Sequence, residues 1–362
     1  MGKFKHIGIV TWHYYSNFGS ALQSYALQEA IKQLGNEDVE FVNYHNPRFG
    51  RFNKLKNIAK IIIGSTLGSF FEDLRFGQYI FAHKYLNQGQ PTTDINRLPY
   101  ITQNLDIIVC GSDQIWAPNC YDPVYFASFA NNNVRKISYA ASIGLNNIPE
   151  DLVPKYIEHL NSFYAISVRE EGGKELLQKK CNINSTVVLD PTLLHRVQFY
   201  IKLQRRVKGI KGRFIFCYFL NKEHNYEIRV RDYAQRHNLQ IVGVSANDQD
   251  SKWMHTLYHL GADQFIWLIN NAEVVMTDSY HGTIFSLLFH KIFWTFVRFT
   301  EDNPICQNSR IRQLQNYFGL QNRIVGFNET LVEDMPYDYE RFEIKLNELR
   351  EQSFQFLIKA LD

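Results

Sequence analysis

The sequence predicts an α/β protein built from two β/α halves that face a shared cleft. The chain has 362 residues, which is long for a single core, so two domains of ordinary size are expected. Short apolar runs of the kind that a parallel sheet buries alternate with helical patterns, first up to residue 192 and again from residue 213. Several of these runs end in Gly, Ser, Asp or Asn. Because the carboxyl ends of parallel strands share one edge of a sheet, both halves can direct such residues into the same cleft.

The first half, residues 1–195, is predicted to form one domain around six strands. An apolar strand at its start leads into a polar loop and then a helix with a regular apolar face, and Gly35 ends that helix. The next strand completes a β-α-β unit, whose two strands are expected to be parallel. The predicted strands cover 6–12, 39–43, 106–110, 137–141, 163–168 and 186–189.

Residues 45–100 interrupt this alternation and are predicted to be a helical insertion in the first domain. Lysines and arginines mingle with isoleucines and phenylalanines over 48–71. A basic, apolar helix of this type can lie on an anionic membrane surface. It can equally pack on its own protein with its lysines in solvent, which is the more common arrangement, and the sequence leaves both open.

The second half, residues 196–337, is predicted to form another β/α domain, followed by a C-terminal helix over 338–362. The predicted strands of this half cover 213–220, 239–244, 273–277 and 292–296. The final helix is amphipathic, since Phe342, Leu346, Leu349, Leu357 and Ile358 recur at helical spacing.

Composition excludes several classes of protein. A formal net charge of +3 is too small to indicate a nucleic-acid partner. The five cysteines are scattered without metal-ligand spacing, and they are expected to be reduced thiols. No signal-peptide pattern and no apolar run of about 20 residues is present. We therefore expect a cytoplasmic protein without a metal site, with possible peripheral attachment to the inner face of the membrane through 48–71.

The segment 273–291 is the clearest strand-turn-helix unit in the chain. Its apolar strand is followed by Asp278 and Ser279, which are typical helix N-cap residues, and Gly282 permits a close approach to the turn. Such a turn presents free backbone N–H groups and favours a bound anion. His281 lies at the turn and can exchange a proton near neutral pH. An isolated histidine is more often structural, but the other residues that follow strands favour a functional role.

Pooling the residues at strand ends gives a candidate site with arginines, helix N-termini and one imidazole. This set suits an anionic ligand. The sequence lacks the paired carboxylates of glycoside hydrolases, a Walker loop and a Gly-x-Ser-x-Gly motif. Transfer of a group from a phosphorylated donor is therefore favoured. The pooled residues are Asn17, Gly19, Ser112, Asp113, Arg169, Asp278, Ser279 and His281, with Arg298 and Arg310 shortly after them.

The chain also resembles the polysaccharide pyruvyl transferases over most of its length. The matching pieces are short, but they occur in one order from residue 9 to residue 310. They are Ile9-Val10-Thr11, Asn17-Phe18-Gly19-Ser20-Ala21-Leu22-Gln23, Gly111-Ser112-Asp113-Gln114-Ile115-Trp116, Ser138-Tyr139-Ala140-Ala141-Ser142, Ser167-Val168-Arg169-Glu170, Asp190-Pro191-Thr192, Asn271-Ala272, Thr277-Asp278-Ser279-Tyr280-His281-Gly282-Thr283 and Asn308-Ser309-Arg310.

The resemblance implies two Rossmann-like domains in a GT-B-like arrangement and no cofactor. Phosphoenolpyruvate would be the donor, a nucleotide-linked or lipid-linked sugar the acceptor, and a cyclic pyruvate ketal on a cell-surface polysaccharide precursor the product. It implies that His281 is catalytic and that Arg169 binds the donor. Some family members have arginine where this chain has Ser279. Arg310 and then Arg298 are the candidates to replace that charge.

The remaining candidate residues complete the expected site. Ser112 and Ser279 are expected on the donor side. Two other functions stay open from the sequence: a GT-B-type sugar-nucleotide glycosyltransferase, or a sugar-binding protein without catalysis. The residues expected to bind the acceptor or line the cleft are Asn17, Gly19, Gln23, Asp113, Gln114, Trp116 and Asp278.

Overall fold

The computed structural model describes residues 5–14, 17–47, 75–221, 224–245, 253–303, 305–333 and 335–362. The basic, apolar segment 48–71 lies outside the described residues. Within the described ranges, no helix is both long and apolar enough to cross a membrane.

The first domain is a parallel sheet with helices on both sides. Its main sheet has the strand order β2-β1-β3-β4. A parallel pair of short strands, β5 and β6, continues the sheet, since Ile137 and Ala141 bridge to Ala165 and Val168. The strands are β1 (Ile7–Val10), β2 (Val39–Phe41), β3 (Ile107–Cys110), β4 (Arg135–Ser138), β5 (Ser167–Val168) and β6 (Thr186–Val187), and the helices are α1 (Phe18–Gln33), α2 (Arg75–Tyr85), α3 (Leu98–Ile101), α4 (Val153–Leu160) and α5 (Glu171–Cys181).

The second domain contains a six-stranded parallel sheet with the order β12-β11-β10-β7-β8-β9. Its strands are β7 (Phe214–Phe219), β8 (Gln240–Ser245), β9 (His255–Leu257), β10 (Val274–Thr277), β11 (Ile292–Phe296) and β12 (Ile324–Val325). Its helices are α6 (Val197–Leu203), α7 (His224–His237), α8 (Ala262–Asn271), α9 (Tyr280–Leu288) and α10 (Ser309–Phe318), and α11 (Tyr339–Leu361) ends the chain.

Each sheet has one place where the chain reverses its direction across the strands. In the first domain the chain runs from β1 to β2 on one side and then returns to β3 on the other. In the second it runs from β7 through β8 to β9 and returns to β10. Loops that leave such a pair of strands diverge and open a crevice at the strands' carboxyl ends. The loops after β1 and β3 therefore oppose those after β7 and β10.

The two domains are joined by an apolar contact and by the last helix. Phe18 at the start of α1 stacks on Phe265 of α8, with ring centroids 4.7 Å apart. Phe342 of α11 packs in the core around the second sheet, whereas Leu357 and Leu361 pack with β1 residues in the first domain. The predicted fold class, two Rossmann-like domains facing a cleft with a C-terminal helix, is confirmed.

Some details differ from the sequence-based expectation. The strands predicted over 163–168 and 186–189 contain only two residues each, β5 and β6. Two further strands, β9 and β12, were not predicted, because three and two residues respectively are too few to show a strand period.

Candidate active site

A cavity of about 550 Å³ lies between the domains, at the carboxyl ends of both sheets. The first domain contributes Trp12, Asn17, Ser20, Asp113, Gln114 and Cys120, and the second contributes Leu220, Asp278, Ser279, Tyr280, His281, Phe296, Val297, Arg298, Phe299, Glu301, Gln307, Asn308, Arg310, Ile311, Arg312, Gln315 and Ile324. Both domains thus supply polar side chains to one space.

His281 belongs to the first turn of α9, where it lines the cavity. Ser279 is the N-cap of this helix, and its side-chain oxygen accepts a hydrogen bond from the Gly282 N–H. The imidazole Nε2 lies 3.4 Å from Oδ2 of Asp190. The ring also rests on Gly19, because a Cβ at position 19 would lie 2.5 Å from Cγ of His281 and closer still to Nδ1. The ring is therefore held between residues of the first domain.

Asp190 is a fully buried carboxylate behind His281. Its Oδ1 accepts hydrogen bonds from the N–H and the hydroxyl of Thr192, at 3.0 and 2.6 Å. Its Oδ2 accepts one from Arg169 Nη1 at 2.7 Å. Burial acts to raise the pKa of this carboxyl, but His281, Arg169 and Thr192 outweigh it and lower the pKa below its usual value. Asp190 is therefore ionised at neutral pH.

Arg169 lies beside the cavity but does not line it. The side chain is only 2% exposed, and its guanidinium lies over the ring of Tyr280, 4.7 Å from the centroid. Arg310 lies over the same ring at 5.6 Å. Tyr280 does line the cavity. Arg169 therefore affects the cavity indirectly, through its contacts with Tyr280 and Asp190.

Arg298 and Arg310 form a cationic pair on the cavity wall. Gln307 Oε1 accepts hydrogen bonds from Nη2 of both, at 3.0 Å from Arg298 and 2.6 Å from Arg310. No carboxylate of the described residues forms an ion pair with either guanidinium, and Nε of Arg310 is buried without a hydrogen-bond partner in the same ranges. Burial and repulsion from Arg169 and Arg298 lower the pKa of Arg310 to about 10. An anion here would relieve that repulsion.

Three carboxylates line the cavity: Asp113 in the first domain, and Asp278 and Glu301 in the second, where Glu301 forms an ion pair with Arg312. Asp113 accepts a hydrogen bond from the Ser20 hydroxyl at 2.5 Å and another from the Gln114 N–H at 2.8 Å. Asp278 accepts from the backbone N–H groups of Leu220 and Asn221, at 2.6 and 2.9 Å. Burial raises the pKa of Asp278 to about 6, although these two N–H groups and Arg298 lower it. No cluster of three or more His, Cys, Asp or Glu residues in the described ranges could hold a metal ion.

The structure brings eight of the predicted residues together at the cavity: Asn17, Asp113, Gln114, Asp278, Ser279, His281, Arg298 and Arg310. Asn17 also caps α1, because its Oδ1 accepts from the N–H groups of Gly19 and Ser20. These residues were predicted because they follow strands, and in the structure they line one cavity.

Ser112, Gln23 and Trp116 face away from the cavity lining. The Ser112 hydroxyl donates to the carbonyl of Ala140, and its N–H donates to Gln23 Oε1. The indole Nε1 of Trp116 donates to the carbonyl of Tyr125 in the core. These three residues fix the loops behind the cavity, so the geometry gives no support to substrate contact by their side chains.

Several cavity residues and neighbours escaped the sequence reasoning. Gln307 precedes α10 and belongs to no motif. Asn308 belongs to the family motif Asn308-Ser309-Arg310, but it was not predicted to be a site residue. Asp190 also lies in a family motif, but only the fold shows that it meets His281. The residues missed are Ser20, Asp190, Tyr280, Gln307 and Asn308.

Fold and cavity together define a two-domain α/β protein whose cleft contains a pair of arginines and an imidazole. The chain belongs to the polysaccharide pyruvyl transferase family, whose sequence model matches residues 17–297. Membership of this family makes the protein a transferase. A comparison with curated proteins found no match.

Solved structures with a similar overall chain course include sugar-processing enzymes. A UDP-GlcNAc 2-epimerase from Neisseria meningitidis bound to UDP-GlcNAc is 8% identical, with a TM-score of 0.49 over 97% of this chain and 93% of that chain. The UDP-GlcNAc 2-epimerase from Methanocaldococcus jannaschii is 12% identical, with a TM-score of 0.47 over 95% and 91%. An ADP-heptose LPS heptosyltransferase II from E. coli is 10% identical, with a TM-score of 0.39 over 96% and 98%.

Proposed function

We propose that this protein transfers pyruvate from phosphoenolpyruvate to a sugar of a cell-surface polysaccharide precursor, forming a cyclic ketal and releasing phosphate. The observation that carries the proposal is the pair Arg298 and Arg310 beside His281 in one cavity. Both guanidiniums share a neutral amide as their acceptor, so their charge is available to a ligand. Family membership supplies the reaction class.

The donor's carboxylate and phosphate are bound by this cationic wall. A guanidinium can donate two parallel hydrogen bonds to either anionic group. The first turn of α9 adds its N-terminal dipole and Ser279. Ser279 itself has no charge, so Arg310 and Arg298 supply the positive charge that an arginine at position 279 would bring. Arg169, whose charge is paired with Asp190, supports this wall by packing on Tyr280.

His281 is the proton donor to the methylene carbon of phosphoenolpyruvate. Protonation turns the methylene into a methyl group and leaves the central carbon oxocarbenium-like, so one sugar hydroxyl adds there and loses its proton. The bond from that carbon to the phosphate oxygen then breaks, phosphate departs, and a second hydroxyl adds to close the ketal. One proton enters the methyl group and two leave the hydroxyls, one of which ends on the released hydrogen phosphate. The imidazole that has given up its proton can accept one from a hydroxyl.

The acceptor sugar lies against the first-domain wall of the cavity. Asn17, Asp113 and Gln114 present amide and carboxylate groups there, which suit hydroxyl groups of a sugar. The acceptor is a nucleotide-linked or lipid-linked sugar presented on the cytoplasmic side. A lipid-linked acceptor would place the enzyme at the inner face of the membrane, where 48–71 could contact the surface.

The test is an incubation of the purified protein with phosphoenolpyruvate and a panel of nucleotide-linked and lipid-linked sugars. We expect loss of phosphoenolpyruvate, equal release of phosphate, and a product heavier than the sugar by one pyruvate less one water. Release of a nucleotide from a sugar nucleotide, with phosphoenolpyruvate untouched, would identify a glycosyltransferase instead. Binding of a sugar without turnover of either donor would identify a binding protein.

A further inference from the structure

His281 belongs to the second domain, but the groups that hold its ring belong to the first. Asp190 approaches Nε2, and the backbone of Gly19 lies against the opposite part of the ring. Asp190 lies three residues after the end of β6, and Gly19 lies in the first turn of α1. The candidate acid is therefore positioned across the domain boundary.

The two ring nitrogens of His281 have different surroundings. Nε2 is completely enclosed, so a ligand cannot reach it; it lies 3.4 Å from Oδ2 of Asp190, close to that carboxylate but without a hydrogen bond of standard geometry. Nδ1 makes no hydrogen bond with any described residue and is not among the enclosed polar atoms of these ranges. Nδ1 is the ring atom nearest to Gly19, so the absence of a side chain at position 19 keeps this nitrogen open to the cavity that His281 lines.

We propose that Asp190 is a positioning residue that receives the Nε2–H of His281 and thereby directs Nδ1–H to the methylene carbon of the donor. This inference rests on the proposed role of His281 as the acid. Asp190 does not touch the substrate, because it is fully buried and outside the cavity lining.

Asp190 is itself fixed so that only one oxygen serves the histidine. Thr192 occupies Oδ1 through two hydrogen bonds, whereas Oδ2 faces His281 and also accepts from Arg169 Nη1. The other ionisable groups around this pair are Tyr139 and Tyr200, near Asp190, Tyr280, beside the His281 ring, and Asp113, Glu170 and Arg310, which surround Arg169. The contact also makes the orientation of the acid depend on the relative position of the two domains.

The test compares Asp190→Asn with the full-length native enzyme over a range of pH. We expect kcat to fall by roughly 10²-fold at neutral pH, because the ring loses its orientation and its counter-charge, while the KM for phosphoenolpyruvate changes by less than about threefold. The pH profile of kcat should also change, because a buried charge next to the reacting group has been removed.

Asp122→Asn is the matched control. Asp122 is also buried, also precedes a proline at the start of a short 3-10 helix, and also accepts from the N–H two residues later, at 3.0 Å. It lies outside the cavity lining and away from His281. This variant should share any loss of stability with Asp190→Asn but keep its kcat and pH profile. If Asp190→Asn does not fold, Thr192→Val removes only one hydrogen bond to Asp190 and should show a smaller fall in kcat.

A second readout separates this inference from the proposed function. In ¹⁵N-labelled protein, the Nε2 signal of His281, assigned by its loss in His281→Gln, should shift in Asp190→Asn and stay unchanged in Asp122→Asn. An unchanged Nε2 signal, or a kcat within about twofold of native at every pH, would overturn the role of Asp190. Failure of the native protein to consume phosphoenolpyruvate would overturn the proposed function, and the Nε2 signal would still decide the contact.

Discussion

The backbone of Gly19 and the imidazole of His281 are in contact across the domain boundary, with no space for a side chain between them. A Cβ on residue 19 would lie 2.5 Å from Cγ and 2.8 Å from Cε1 of the ring. Gly19 comes from the first turn of α1, and His281 from the first turn of α9. Each domain thus contributes the start of a helix to the same point of the cleft.

Gly19→Ala is therefore expected to displace the His281 ring and to reduce kcat by at least about tenfold. Alanine is by itself better than glycine in a helix by about 1 kcal/mol, so the loss would come from the overlap with the ring. Gly172→Ala is the matched control, because Gly172 is also the second residue of a helix and no atom lies within 4 Å of its hypothetical Cβ. Steady-state kinetics and thermal unfolding of both variants check this prediction. Native kcat in a folded Gly19→Ala protein would show that catalysis does not require the close contact between Gly19 and the His281 ring.

Arg310→Ala should raise the KM for phosphoenolpyruvate. Loss of a charge-assisted hydrogen bond costs about 1.5–3 kcal/mol, or roughly 10- to 150-fold in affinity. Ser279→Arg added to this variant should restore part of the affinity, because it returns a cation to the start of α9. Arg213→Ala, which removes an exposed guanidinium paired with Glu273, should leave the KM unchanged. A normal donor KM in Arg310→Ala would place the donor elsewhere.

Arg169→Ala should reduce turnover more than donor affinity. The guanidinium is buried and bonded to Asp190, so its removal disturbs the carboxylate that contacts His281. Arg169→Lys should recover only part of the loss, because a single ammonium cannot keep both the bond to Asp190 and the stacking on Tyr280. The measurement is kcat and KM separately for both variants. A rise in KM with native kcat would indicate direct contact with the donor, the role that the family resemblance implies.

Asp278 should make the protein less stable as the pH rises. Burial raises the pKa of its carboxyl to about 6 in the folded state, above the value of about 3.9 in an unfolded chain. Between these values the folded state holds a proton that the unfolded state has lost, so the free energy of unfolding falls with increasing pH. Its contribution, about 3 kcal/mol at most, is present below pH 4 and lost through pH 6.

Denaturant unfolding of the native protein and of Asp278→Asn at several pH values checks this prediction. The native free energy of unfolding, taken relative to that of the variant, should decrease from about pH 4 to about pH 6.5. A constant difference over this range would mean that Asp278 is ionised throughout.

The sequence predicted the local part of the site well. The turn after β10 could be recognised because strand, cap residues and helix follow one another within 273–291. Arg298 and Arg310 could be proposed because they lie a short distance further along. The alternation of strands and helices likewise predicted two parallel sheets, since each β-α-β unit is formed by residues that are close together in the sequence.

The rest depended on contacts that the sequence does not display. Asp190 meets His281 only because β6 of one domain ends opposite α9 of the other. For Gln23 and Ser112, the residue type alone could not show that the Gln23 amide oxygen would accept from the Ser112 N–H and that the Ser112 hydroxyl would donate to the Ala140 carbonyl, leaving neither side chain for a ligand. A polar residue after a strand can satisfy the backbone or face the cavity, and only packing decides between these outcomes.

The most direct test of the account is a reaction run in D₂O with phosphoenolpyruvate and the acceptor sugar, with the product analysed by mass spectrometry and NMR. If His281 protonates the methylene carbon, the methyl group of the ketal carries one deuterium from solvent. His281→Gln, which keeps a hydrogen-bond donor but no acid, should still bind phosphoenolpyruvate and lose roughly 10²–10⁴-fold in turnover. A ketal methyl group without deuterium, or near-native turnover by His281→Gln, would contradict the account.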